Sequence, residues 1–128
     1  MNSSEDKCLF CQVDRHLLVA GNELCYATKD SFPVTEFHTL IIPKRHVANY
    51  FDLYSSEVGA IYEMLVGVKK TIETKDDSVT GFNIGVNVGE HAGQSIFHVH
   101  VHLIPRRKGD VENPRGGVRG VIPDKQSY

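Results

Sequence analysis

The sequence has only three cysteines in 128 residues, and an odd count does not build a disulfide scaffold. Cys8 and Cys11 sit close together while Cys25 stands alone, a usage that points to a reducing, cytoplasmic setting. No apolar run approaches the roughly 20 residues of a membrane span, so no membrane partner is expected. Met1 to Lys7 is polar and carries no targeting pattern. Basic charge is also scarce. The 14 Lys and Arg are outnumbered by 16 Asp and Glu, for a net charge of -2, and no basic stripe advertises a nucleic acid duplex. Repeats, low-complexity tracts and long linkers are missing. What is there, 41% apolar and 23% charged residues, suits a single globular domain over 1–128. The one positive cluster, Arg106-Arg107-Lys108, is either a solvated loop or a phosphate-attracting patch.

Short apolar runs at Leu17 to Ala20 and Leu24 to Thr28 flank Gly21-Asn22-Glu23, the pattern of a hairpin. His38 to Ile42 reads as a third strand ended by Pro43. Ser55 or Ser56 is placed to cap a helix running to about Thr74. Its apolar stripe is Val58, Ile61, Leu65, Val68 and Ile72, with Gly59 and Gly67 as weak points. Asp76-Asp77-Ser78 reads as a turn, and Phe82 to Val88 as a fourth, alternating strand. Ile96 to Ile104 is the fifth, stopped by Pro105. Strands linked by short loops, with one long helix, predict an α+β fold with a mainly antiparallel sheet.

Within the fifth strand lies His98-Val99-His100-Val101-His102. Side chains alternate on a strand, so the three histidines share one face at intervals of about 7 Å. Val99, Val101 and Leu103 then face the core. The valines account for the strand but not for three imidazoles. A polar sheet face, a metal site and nucleophilic catalysis are the competing explanations. Near pH 7 roughly three quarters of an unperturbed imidazole is neutral and nucleophilic. The preceding loop, Gly89 to Ser95, bears glycines that let backbone N–H groups approach phosphate, and Gln94 and Ser95 add side-chain donors. A pure metal site has no need of such a loop.

His98 to Ile104 resembles the His-φ-His-φ-His-φ-φ signature of the histidine-triad (HIT) family of nucleotide hydrolases and transferases, where φ is apolar. The likeness extends to Ala92-Gly93-Gln94-Ser95, to Asp30–Val34 with His38–His46, and to the tail Pro114–Arg119. It implies a HIT-like fold: a five-stranded sheet, one long helix packed on it and a short N-terminal helical segment. Residues 1–7 and about 108–128 are expected to be largely irregular. It also implies a homodimer.

By this resemblance His100 is the nucleophile toward the α-phosphorus of a small nucleotide, with a dinucleoside polyphosphate as first choice and a nucleoside phosphoramidate as alternative. His102 would donate to phosphate oxygens. Gln94 and Ser95 would lie near the leaving group, and Asn87 and Gly93 near phosphate. Asp30 would accept from the ribose hydroxyls, and Phe10 would line the base pocket with Val13. The resemblance offers Cys8, Cys11, His46 and His98 as ligands of a structural zinc, in which case His98 is a ligand and not a catalyst. No organic cofactor is expected. A metal-dependent hydrolase using all three histidines, and a nucleotide-binding regulatory protein, are the alternatives from other classes. Glu36-Phe37 departs from the Pro-Gly of many relatives. His16 and His38 read as structural, and His91 as an exposed loop residue.

Overall fold

A computed structural model describes residues 8–128; the stretch 1–7, expected to be irregular, lies outside the described residues. Five strands form one antiparallel sheet: β1 (Leu18–Gly21), β2 (Cys25–Lys29), β3 (Thr39–Pro43), β4 (Val79–Val86) and β5 (Val101–Arg107), in the order β1-β2-β3-β5-β4. The hairpin between β1 and β2 is closed by Asn22. Its backbone N–H donates to the Cys25 carbonyl, and its side-chain oxygen accepts from the N–H groups of Leu24 and Cys25. The short N-terminal helical segment is a 3-10 turn at Leu9–Cys11.

Helix α1 (Ser55–Lys75) crosses one face of the sheet. Its buried apolar residues are Ile61, Met64, Val68 and Ile72, packed with Ala27, Ile41, Val99, Val101 and Leu103. The expected stripe is therefore rotated. Met64 enters the core, and Val58 is 39% exposed because the buried line runs through Glu57, Ile61, Met64, Val68 and Ile72 and Val58 lies one position off it. The cap differs too. Tyr54, not a serine, holds the cap position, and the buried Glu57 carboxylate accepts its N–H at 2.8 Å. Arg45 clamps both oxygens of that carboxylate, at 2.8 and 3.1 Å, and holds its pKa below the usual range.

Two strand limits move in a way that matters. Proline 105 does not stop β5; it pairs with Phe82 inside the ladder. At the other end, β5 begins at Val101, so His98 and His100 precede it. The alternation nevertheless holds, because the Val99 N–H donates to the Val47 carbonyl and keeps the approach extended. Val99, Val101 and Leu103 are buried on the helix side as expected. The opposite face carries a smaller cluster of Tyr26, Leu40, Ile42 and Phe10 beside the remaining histidines. The tail beyond Gly109 is not featureless. It contains 3-10 helices at Gly117–Val121 and Pro123–Lys125.

Candidate active site

The three histidines of the run have three different settings. His100 is half-buried, and its Nδ1 lies 2.9 Å from the His98 carbonyl oxygen. A carbonyl can only accept, so Nδ1 carries the proton and Nε2 keeps its lone pair. The Phe10 ring packs edge-on to the His100 ring at 4.8 Å between centroids.

His102 belongs to a separate chain of hydrogen bonds. The Val34 backbone N–H donates to His38 Nδ1 at 3.1 Å, so that nitrogen is unprotonated. His38 Nε2 must then hold the proton, and it lies 2.9 Å from His102 Nδ1. His102 accepts there, which leaves its own Nε2 as a donor. The Asp30 carboxylate stands 3.4 Å from His38 Nε2 and 3.9 Å from His102 Nδ1. Burial is the largest influence on both rings and lowers their pKa values, while Asp30 opposes it. Both imidazoles are thereby favoured in the neutral form this chain requires.

His38, read from sequence as structural, is thus part of the site. A signal was present: it lies two residues before Leu40, and Leu40 pairs with His102 across β3 and β5. The strand period of two puts His38 on the histidine face.

His98 is fully buried and faces elsewhere. Its Nε2–H donates to the Pro43 carbonyl at 2.7 Å. The free Nδ1 lies 3.4 Å from the Cys8 sulfur and 3.5 Å from that of Cys11. His46 Nδ1 is 3.0 Å from the Cys11 sulfur. The four donor atoms all lie within 4.8 Å of one another. Two cysteine sulfurs and two imidazole nitrogens are the donor set of a tetrahedral ion, and three of their separations, 3.0, 3.4 and 3.5 Å, approach the edge set by metal bonds of about 2.0–2.3 Å. A ring N–H anchored on a carbonyl is the usual support of a histidine ligand. Burial chiefly lowers the His98 pKa and keeps it neutral, as a ligand must be. The run therefore divides: His98 groups with the cysteines, and His102 groups with Asp30 and His38. A single metal held by His98, His100 and His102 has no support in this geometry.

The loop before the run is built on two glycines. Gly89 (φ 92°) and Gly93 (φ 99°) occupy backbone conformations that side chains rarely adopt. Gln94 is buried, and its amide is occupied with backbone. Its oxygen accepts from the Gly89 N–H, and its nitrogen donates to the Ala48 and Ile96 carbonyls. Gln94 braces the loop instead of facing the cavity, and its neighbour Ser95 is exposed there.

A cavity of about 390 Å³ opens over this face, lined among others by Phe10, Asp30, Asn87, Gly93, Ser95 and His100. Val13 does not line it. Asp30 also accepts from the Phe32 N–H at 2.8 Å, so it shapes its own turn as well. His16 and His91 are exposed and outside the cavity lining. The basic cluster is largely neutralised. Arg106 pairs with Asp110, and Arg107 with Asp76.

Residues 12–109 match the HIT domain family. An uncharacterised HIT-like protein of Methanocaldococcus jannaschii is 36% identical over 124 residues, 92% of this chain and 94% of that one. The asymmetrical bis(5'-nucleosyl)-tetraphosphatase of Schizosaccharomyces pombe is 40% identical over 96 residues, 70% of this chain and 52% of its own. The crystal structure of a zinc-bound histidine triad family protein from Mycobacterium smegmatis shares the fold, with a TM-score of 0.76 and 28% identity. That match covers 85% of this chain and 81% of that one. The chain belongs to the HIT family, which includes nucleotide hydrolases. No helix among the described residues is long and apolar enough to cross a membrane.

Proposed function

We propose that this protein is a nucleotidyl hydrolase or transferase that works through a nucleotidyl-His100 intermediate. The observation that carries the proposal is the bond from His100 Nδ1–H to the His98 carbonyl, which leaves Nε2 free as a nucleophile beside the cavity. Nε2 attacks the α-phosphorus of a nucleotide joined to a second group, X. The P–X bond breaks, its electron pair leaves on X, and X takes a proton from solvent, while His102 keeps its Nε2–H. Water then attacks phosphorus, displaces His100 and gives up a proton to solvent. The net change consumes one water and releases a nucleoside monophosphate and HX.

His102 Nε2–H also faces the charge that builds on the phosphate oxygens. Asp30 and Phe10 are assigned to ribose and base, and Asn87, Gly93 and Ser95 to the phosphate side. Dinucleoside polyphosphates, phosphoramidates and nucleotide sugars all present the same α-phosphate. The tetraphosphatase relative favours a nucleotide in that place.

We further propose that Cys8, Cys11, His46 and His98 hold a structural zinc. It would brace the segment leading to His100, with no direct part in the chemistry. The zinc-bound relative supports this reading. A homodimer fits the sheet edge: β4 is the edge strand beside β5, and its Ile84 is 53% exposed. Sedimentation at twice the monomer mass checks it.

The activity is tested on a panel of a dinucleoside polyphosphate, a nucleoside phosphoramidate and a nucleoside-diphosphate sugar. His100→Asn should abolish turnover of whichever compound is cleaved. A fully active His100→Asn protein overturns the assignment.

A further inference from the structure

Strand β2 carries a polar group that the chemistry above does not use. Thr28 is only 7% exposed and lines the cavity beside His100. It pairs with Leu40, and Leu40 pairs with His102, so its side chain lies on the histidine face of the sheet. The neighbouring Tyr26 hydroxyl is committed to the Phe10 carbonyl. The Thr28 hydroxyl, by contrast, makes no hydrogen bond among the described residues. No side-chain polar atom among them is both sealed off and unpartnered, so this hydroxyl opens on the cavity.

Folding does not call for a hydroxyl at this position. Valine has the same shape and suits a strand as well. The neighbours on this face, Tyr26, Leu40, Ile42 and Phe10, form an apolar cluster that a valine would extend. A ligand that covers the hydroxyl without bonding it leaves a desolvated polar group unpaired and loses affinity. Thr28 therefore favours a ligand with a polar edge at this point over one with an apolar edge.

The place of Thr28 in the sheet says which part of a ligand that edge belongs to. Two strand spacings, about 10 Å, separate it from His102. Asp30 lies two residues further along the same extended chain, about 7 Å away, where its N–H donates to the His38 carbonyl. A nucleotide with its phosphate at His102 and its ribose at Asp30 lays its base over Thr28, Leu40 and the Phe10 ring. The apolar surface then holds the base, and the hydroxyl meets its edge. Gln12, Asp14 and Lys29, which also line the cavity, are exposed, and Asp14 has one carboxylate oxygen on the His16 N–H.

We propose that Thr28 Oγ1 is the base-reading group of this site: it hydrogen-bonds a ring nitrogen or exocyclic group on the edge of the nucleobase and so determines which bases bind. This rests on the nucleotidyl-transfer reading above. A hydroxyl both donates and accepts, so the bonded atom is found by removing base atoms one at a time.

The test measures binding of nucleoside 5'-monophosphates to the full chain by calorimetry, which needs no turnover. The ligands are AMP, its 1-deaza, 3-deaza and 7-deaza analogues, and purine riboside 5'-monophosphate, which lacks the amino group. In the wild type one of these analogues should bind about 3- to 10-fold more weakly than AMP, the range of one neutral hydrogen bond. Thr28→Val should weaken AMP by the same factor and leave that analogue unchanged, so that the gap closes. Thr28→Ser keeps the hydroxyl and should keep the gap. A purely structural role would weaken every ligand alike. That outcome, equal affinities throughout in the wild type, or a gap that survives Thr28→Val overturns the base-reading role. Binding of none of these ligands, nor of GMP, CMP or UMP, overturns the nucleotide reading itself.

Discussion

His38 Nε2 lies 2.9 Å from His102 Nδ1, and the Val34 N–H on the far side of His38 determines which nitrogen carries the proton. Two residues 64 positions apart thereby share one tautomeric choice. His38→Leu removes the donor and should lower kcat by roughly 10- to 100-fold, with KM little changed. His38→Gln keeps an N–H in reach and should recover part of that loss. Steady-state kinetics on the two variants checks this, and equal losses would contradict a positioning role.

Protonation of these rings should weaken the fold. The folded pKa values of His38 and His102 lie below the ordinary imidazole value of 6.5. Below that value the unfolded chain binds more protons, so stability is full above it and declines as pH falls toward the lowered folded values. Urea midpoints should drop between about pH 7.5 and about pH 5. The His38→Leu variant should show a smaller drop.

Phe37 holds φ 70° immediately before His38. A bulky residue there is strained by about 1–2 kcal/mol, and the partly buried ring offsets this by packing on the core. Phe37→Gly and Phe37→Ala both lose the ring, but only glycine relieves the strain. Phe37→Gly should therefore be about 1 kcal/mol more stable than Phe37→Ala in chemical denaturation. The reverse order would contradict the strain.

Removal of metal should be felt in stability before chemistry. Protein purified without chelator should carry one zinc per chain, and Cys11→Ser should carry none. Stripping the metal should lower Tm by roughly 5–10 °C, as expected for a loss of 1–2 kcal/mol. Elemental analysis and a thermal scan on the same sample check both points. A Tm insensitive to chelation would exclude a structural ion.

Local pattern made much of this architecture legible. The alternation of Val99, Val101 and Leu103 placed them in the core, and the spacing of Ile61, Val68 and Ile72 placed the helix on them. What escaped depends on partners far along the chain. The start of β5 is set by strand pairing that the His-Val alternation does not reveal, and Val99 bonds instead to Val47. The choice of Met64 over Val58 depends on the rotation of the helix about its own axis, which spacings of three and four leave open. Gln94 looked like a phosphate donor because its partner Ala48 is 46 residues away. His38 escaped because its meaning lies in the register of β3 against β5. The dinucleoside polyphosphate expected first also rested on resemblance alone.

The most direct measurement is an alkaline denaturing quench of the enzyme during turnover of a cleaved nucleotide substrate, followed by peptide mass spectrometry without acid. The account predicts one nucleotidyl group on the peptide containing His100, stable in alkali, lost on acid treatment and absent from His100→Asn. Turnover without any such adduct, or an adduct on another residue, would contradict it.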